Sequence, residues 1–78
     1  MQPGELKAGQ WGRIVAVDTI PSPYRSRLIS LGLLPGTRFQ VIRVAPLGDP
    51  FEIAVRGSSL ILRRHEAAIL TVEPVCVK

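Results

Sequence analysis

Arg27-Leu-Ile-Ser-Leu-Gly-Leu-Leu-Pro-Gly36 is the stretch that decides the fold, because it marks where a helix ends and where the next strand begins. Gly32 predicts the helix end, since glycine adopts the left-handed conformation that closes a helix without a Cβ penalty. Pro35-Gly36 predicts a tight turn, with proline presetting its first position and glycine supplying a positive φ. Leu33 and Leu34 lie between these signals and form a candidate docking surface; their burial in the core is the alternative.

The chain has 78 residues, with Cys76 as its one cysteine and His65 as its one histidine. This length is one domain near the lower limit of what folds alone. Neither a disulfide framework nor a metal site built from Cys and His can supply its stability. The first residues carry no secretory signal, and no stretch approaches the roughly 20 apolar residues that span a bilayer. We therefore expect a cytoplasmic protein, with no metal site and no cofactor.

Short β-branched runs between turn residues predict a mainly β domain with one short α-helix after the first strand. The helix is predicted over residues 23–31, with Ser22 as its N-cap and Pro23 at its first position. One helical turn is predicted over residues 64–68, and residues 74–78 are predicted to fray. The predicted strands are Arg13–Val17, Thr37–Ala45, Phe51–Arg56, Ser59–Arg63 and Ile69–Glu73.

The second predicted strand carries an irregularity that bears on the shape of the sheet. Phe39 and Val41 alternate with polar residues, but the alternation fails over residues 42–44. A β-bulge or burial on both faces would account for this change. Five short strands at turn-punctuated spacing then predict a small, strongly bent β-barrel of about five strands, which leaves few free edges.

The sequence lacks the residue patterns of catalysis. His65 lies between Arg64 and Glu66 in a charged turn and is predicted to be exposed. No nucleophile, base and orienting group are evident together, and the glycines form no phosphate-binding fingerprint. The carboxylates are dispersed, and Asp49 is predicted to cap its own loop through an Asx-type hydrogen bond. We expect no catalytic residues and no enzyme activity.

Positive charge leaves a second function class open. The chain has ten Lys and Arg residues and six Asp and Glu residues, which gives a formal net charge of +4. A basic stripe could follow a phosphate backbone, which makes a small nucleic-acid-binding barrel the alternative function. Such barrels add exposed aromatic rings for base stacking, whereas Phe39 and Phe51 are predicted to be buried. We therefore expect solvated charges and no nucleic-acid partner. The candidate stripe consists of Arg38, Arg43, Arg56, Arg63 and Arg64.

Three segments together resemble the ferrous iron transport protein A (FeoA) family: Arg25–Gly36, Val44–Pro50 and Leu60–Ala68. Members of this family are small cytoplasmic proteins with an SH3-like barrel, encoded beside the ferrous iron permease FeoB. The resemblance implies a single SH3-like domain over residues 1–78. It also implies a protein-interaction module that binds and modulates the permease and its GTPase domain. It brings no catalytic residues and no cofactor.

The predicted partner surface joins the helix end to the loop between the second and third strands. Apolar residues in turns are harder to bury than those in strands, and an exposed apolar patch usually marks an interaction site. Weak self-association through the same patch is a further possibility, and contact with the membrane is expected only through the permease. The predicted partner-binding residues are Leu31, Gly32, Leu33, Leu34, Pro35, Pro46, Leu47, Gly48 and Asp49.

Overall fold

A computed structural model describes residues 1–19 and 22–76, which form one antiparallel sheet and short helical segments. The strands are β1 (Trp11–Val17), β2 (Arg38–Val44), β3 (Phe51–Val55), β4 (Ser58–Leu62) and β5 (Leu70–Val75). Helix α1 (Arg25–Ser30) lies between β1 and β2, α2 (Arg64–Ala67) lies between β4 and β5, and a 3₁₀ helix (Pro3–Glu5) precedes β1. The strand order is β4-β3-β2-β1-β5. The predicted mainly β architecture is confirmed.

The core lies against one face of the bent sheet and consists of apolar side chains alone. Phe39 and Phe51 are both buried, as predicted. Gly12 allows the close approach of β1 to this core, because a Cβ built there would lie 2.7 Å from the Phe39 ring. The buried apolar residues are Leu6, Ile14, Leu28, Leu33, Phe39, Val41, Phe51, Ile53, Val55, Leu62, Ala67, Leu70 and Val72.

Two register shifts bend the sheet. The β2–β3 register shifts between Val41 and Arg43, where the sequence predicted a bulge. A second shift lies in the β1–β5 pairing, between Ile14 and Ala16. An extra residue in one strand of a pair kinks that strand and increases its twist. The two shifts therefore supply the curvature that wraps a short sheet around a thin core.

Helix α1 is shorter than predicted at its start. It begins at Arg25, with Tyr24 at the N-cap position and no side-chain capping bond. The Ser22 hydroxyl instead accepts a hydrogen bond from the Tyr24 N–H at 3.2 Å, so Ser22 closes the turn before the helix. Residues 20 and 21, immediately before Ser22, lie outside the described part of the chain.

The end of α1 is a Schellman motif. The Leu33 N–H donates to the Leu28 carbonyl at 3.1 Å, and the Gly32 N–H donates to the Ile29 carbonyl at 3.0 Å. Gly32 has a φ of +93°, as the motif requires at this position. The motif also favours an apolar contact between the residue after the glycine and the third residue from the helix end. Leu33 and Leu28 are these two residues, and both are 0% exposed.

The prediction that Leu33 lies at the surface is therefore wrong. The prediction placed it at an exposed docking patch, but the backbone that closes the helix turns its side chain into the core. The prediction of a frayed tail over residues 74–78 is wrong for its first two residues. Pro74 and Val75 lie in β5, opposite Gly12 and Trp11 of β1. Residues 77 and 78 of that tail lie outside the described residues.

Adjacent leucines provide a direct test of this helix closure. We expect Leu33→Ala to lower the free energy of unfolding by about 2–5 kcal/mol, the usual cost of a cavity at a buried leucine. Leu34→Ala should change it by less than about 0.5 kcal/mol, because Leu34 is 41% exposed. Urea denaturation of both variants measures the difference. Similar losses in the two variants would contradict the assignment of Leu33 to the core.

Candidate functional site

The end of α1 presents a small apolar projection. The Thr37 N–H donates to the Leu34 carbonyl at 3.0 Å, so the predicted turn forms around Pro35-Gly36. The Gly36 N–H donates to the Ile14 carbonyl at 2.7 Å, which ties the turn to β1. Leu34 and Pro35 are exposed on it, while Leu31 is half-buried. We call Leu34 and Pro35, with Leu31 behind them, the helix-end surface.

The loop between β2 and β3 presents a larger apolar feature. Leu47, at its tip, is 93% exposed. The loop is held by a hydrogen bond from the Gly48 N–H to the Ala45 carbonyl at 2.7 Å. Pro46 and the outer edge of the sheet border an apolar groove of about 280 Å³ beside it. The groove is lined by Arg43, Val44, Ala45, Pro46, Pro50, Phe51, Glu52 and Ile61.

Ile61 belongs to this groove but was not predicted as a site residue. It lies in β4 and is 63% exposed, whereas the next residue, Leu62, is buried. Three consecutive apolar residues at 60–62 obscure this alternation in the sequence. The strand register identifies the exposed residue instead, because Ile61 is paired with the charged residue Glu52 on β3. We call Leu47, Pro46 and Ile61, with the groove that Pro46 and Ile61 line, the hairpin surface.

Asp49 does not cap its own loop, so that prediction is wrong. Its Oδ1 accepts a hydrogen bond from the backbone N–H of Arg64 at 2.9 Å. Arg64 is the first residue of α2, and a carboxylate at a helix start satisfies a free backbone donor. A Cβ built on Gly48 would also lie 3.5 Å from the Arg64 guanidinium. Asp49 and Gly48 thus hold the loop against α2, which leaves Leu47 projecting.

The structure does not bring the two predicted halves of the partner surface together. The helix-end surface lies at the start of β2, next to Arg38, and the hairpin surface lies at its end, next to Val44. Six steps of about 3.3 Å along a strand separate these ends by roughly 20 Å. A second groove, beside Leu34 and Pro35, shares no lining residue with the first. The chain therefore presents two separate candidate surfaces.

Several arginines of the candidate basic stripe are engaged within the protein. Arg43 pairs with Glu52 at 2.9 Å, and the Arg64 guanidinium donates to the Gly4 carbonyl at 2.8 Å. Trp11 and Tyr24 are half-buried, and the two phenylalanines are buried. All four aromatic residues lie within the described ranges. This surface offers no exposed ring on which a base could stack.

The described residues also bear on metal binding and on the histidine of the charged turn. Within residues 1–19 and 22–76, no three His, Cys, Asp or Glu side chains lie close enough to hold a metal ion. His65 is exposed, as predicted, and contacts the edge of the Tyr24 ring with the ring centroids 5.4 Å apart. Of the helices described, none has the length and apolar character needed to cross a membrane.

Comparison with known proteins gives the family. A family model described as the FeoA domain matches residues 4–74. The Fe(2+) transport protein A/Fe(2+) transporter FeoB fusion protein of Porphyromonas gingivalis is 33% identical over 73 residues. That alignment covers 94% of this chain but only 8% of the fusion protein. A solution structure of FeoA from Chlorobium tepidum is 42% identical with a TM-score of 0.83, over 97% of this chain and 71% of that one.

A crystal structure of FeoA from Stenotrophomonas maltophilia is described as a prokaryotic SH3 domain protein. It is 24% identical with a TM-score of 0.81, over 94% of this chain and 89% of that one. At this identity the likeness concerns the fold alone, and it confirms the predicted SH3-like architecture. Since the family model matches residues 4–74, which is nearly the whole chain, the chain belongs to the FeoA family of ferrous iron transport proteins.

Proposed function

We propose that this chain is an accessory protein of ferrous iron uptake that binds the cytoplasmic part of a FeoB-type permease. The observation that carries the proposal is the fusion protein, in which a homologous domain and a FeoB transporter share one polypeptide. A covalent link holds two domains at a high effective concentration. A separate domain needs an interface of its own to reach the same partner. The sequence resemblance and the apolar surfaces support the same proposal.

The hairpin surface is the better of the two candidates for this interface. The Leu47 side chain is almost fully exposed, and Ile61 borders the adjacent groove. Burying one leucine side chain stabilises an interface by about 1.5–3 kcal/mol. The Asp49–Arg64 hydrogen bond holds the loop before a partner arrives. An ordered loop loses less conformational freedom on binding, which favours affinity.

The proposed mechanism needs no catalytic residue on this chain. A binding module changes the activity of its partner when it binds one conformation more tightly than another. The chain would act in the cytoplasm and contact the membrane only through the permease. Its effect on the GTPase domain would follow from the conformation that the hairpin surface prefers. The helix-end surface, at the other end of β2, is available for a second contact or for self-association.

Leu47→Ser tests the interface in vitro. We expect it to weaken capture by the purified cytoplasmic part of a FeoB-type permease by about tenfold or more, because the apolar anchor is lost. Titration by biolayer interferometry, with and without guanine nucleotide, measures the affinity. Val15→Ser is the matched control, since Val15 is an exposed apolar residue on β1. Equal capture of wild type and Leu47→Ser would contradict the hairpin surface, and no capture of wild type would contradict binding itself.

The same variant tests the biological role. In cells that depend on the ferrous permease, Leu47→Ser should lower ferrous iron uptake while the protein level stays unchanged. The reason is that Leu47 lies outside the core, so its loss costs little folding stability. Uptake of radiolabelled iron, normalised to immunoblotted protein, measures the effect. Unchanged uptake in Leu47→Ser cells, alongside reduced uptake in cells without the protein, would show that this residue is not needed.

A further inference from the structure

Three arginines lie side by side across the outer face of the sheet. Arg13 on β1 is opposite Arg38 on β2 and opposite Glu73 on β5. Arg56 follows β3 in the turn to β4 and lines the same groove as Arg38. Side chains directly opposite in a ladder have Cβ atoms about 4.5–5.5 Å apart, where like charges are destabilising. In this arginine row, the opposed pair of Arg13 and Arg38 therefore costs stability.

One carboxylate forms an ion pair with this row of arginines. Glu73 forms an ion pair with Arg13. Elsewhere, Arg27 pairs with Glu66. Within the described ranges, the guanidinium groups of Arg38 and Arg56 have no hydrogen bond or ion pair. These two positive charges are therefore available to an anionic group from outside the chain.

Arg56 also occupies a backbone position that does not suit it. It has a φ of +52°, and Gly57 follows at +81° in the two-residue turn between β3 and β4. Positive φ at both central residues is the type I′ pattern, which favours Asn, Asp or Gly at the first position. Arg56 is the one residue other than glycine with a positive φ among those described. Strained residues of this kind concentrate at binding and catalytic sites.

The strained turn places the charge of Arg56 at the helix-end surface. Its Cδ lies 3.2 Å from the position that a Cβ on Gly32 would occupy, so the side chain lies across the end of α1. Together with Arg38 it borders an open groove of about 600 Å³. The other lining residues are Leu34, Pro35, Gly36 and Thr37.

The available donors decide which anion fits this groove. The backbone N–H groups of Leu34, Gly36 and Thr37 all donate to backbone carbonyls of the protein. Phosphate sites commonly rely on free backbone N–H groups, and this groove offers none from those three residues. Guanidinium groups bind carboxylates and phosphates alike through two parallel hydrogen bonds, so the lack of free backbone donors is what favours a carboxylate here. The exposed Leu34 side chain adds an apolar contact beside them.

We propose that this groove binds an acidic segment of a protein partner. Carboxylates of the segment pair with Arg38 and Arg56, and an apolar side chain between them covers Leu34. Charge complementarity supports this occupant, because neither guanidinium group has a partner within the described residues. The proposal goes beyond the proposed function, since it uses the other end of β2 and does not require the partner to be the permease.

The test is an NMR titration of the ¹⁵N-labelled full chain with a capped Glu-Glu-Leu-Glu-Glu peptide. Saturable shifts are expected at the amides of Leu34, Gly36, Thr37 and Arg38 and at the Nε–H groups of Arg38 and Arg56. The same peptide with Gln in place of Glu should cause no saturable shift, and inorganic phosphate should bind more weakly than the acidic peptide. An absence of shifts with the acidic peptide, or phosphate binding as tight as that peptide, would overturn the proposal.

Three variants separate binding from folding. Arg38→Gln and Arg56→Asn should each weaken peptide binding by about fivefold to tenfold, since each removes a charge-assisted contact. Arg56→Asn should at the same time raise the melting temperature, because asparagine suits the type I′ turn. Lys7→Gln, which removes one charge at another exposed position, should leave affinity unchanged. Unchanged affinity in the two arginine variants, or equal weakening in Lys7→Gln, would contradict a specific site.

Discussion

The Schellman closure of α1 is the constraint on which the rest of the structure depends. Two backbone hydrogen bonds around Gly32 end the helix and turn Leu33 into the core beside Leu28. The chain can then reverse only over the next few residues, so Leu34 and Pro35 project and β2 starts at Arg38. In a domain of this size every core side chain matters, because little surface is buried in total. One local motif thus sets the core, the projection and the start of the central strand.

Much of this architecture was predictable because turns and alternation are local. Glycine and proline positions indicated the strand order along the chain, and the irregularity after Val41 indicated the bulge. Leu33 was misplaced because the prediction rested on its position beside a turn and not on the Schellman contact that Gly32 implies between Leu33 and Leu28. Asp49 was misassigned for a similar reason, since its partner, Arg64, lies fifteen residues away in sequence. The exposure of Ile61 could be assigned only from the register of β4 against β3.

The candidate surfaces illustrate the same limit. Sequence proximity to turns identified Leu34 and Leu47 as exposed, and the structure agrees for both. Their separation by the length of β2 depends on the tertiary fold. So does the arginine row, because strand pairing joins Arg13 to Arg38 and the β3–β4 turn brings Arg56 to the groove beside Arg38. The outcome is a small domain with two chemically different ends. The hairpin surface is apolar and held by α2, whereas the other end combines an apolar projection with two unpaired positive charges.

The central claim is that the hairpin surface contacts the permease. Chemical-shift mapping tests it most directly, with the ¹⁵N-labelled chain observed while the unlabelled cytoplasmic part of a FeoB-type permease is added. The account predicts that the largest perturbations fall on the amides of Leu47, Gly48, Asp49 and Ile61, which lie in the β2–β3 loop or line the adjacent groove. Perturbations confined to β1 and β5, with the β2–β3 loop unchanged at saturation, would contradict it.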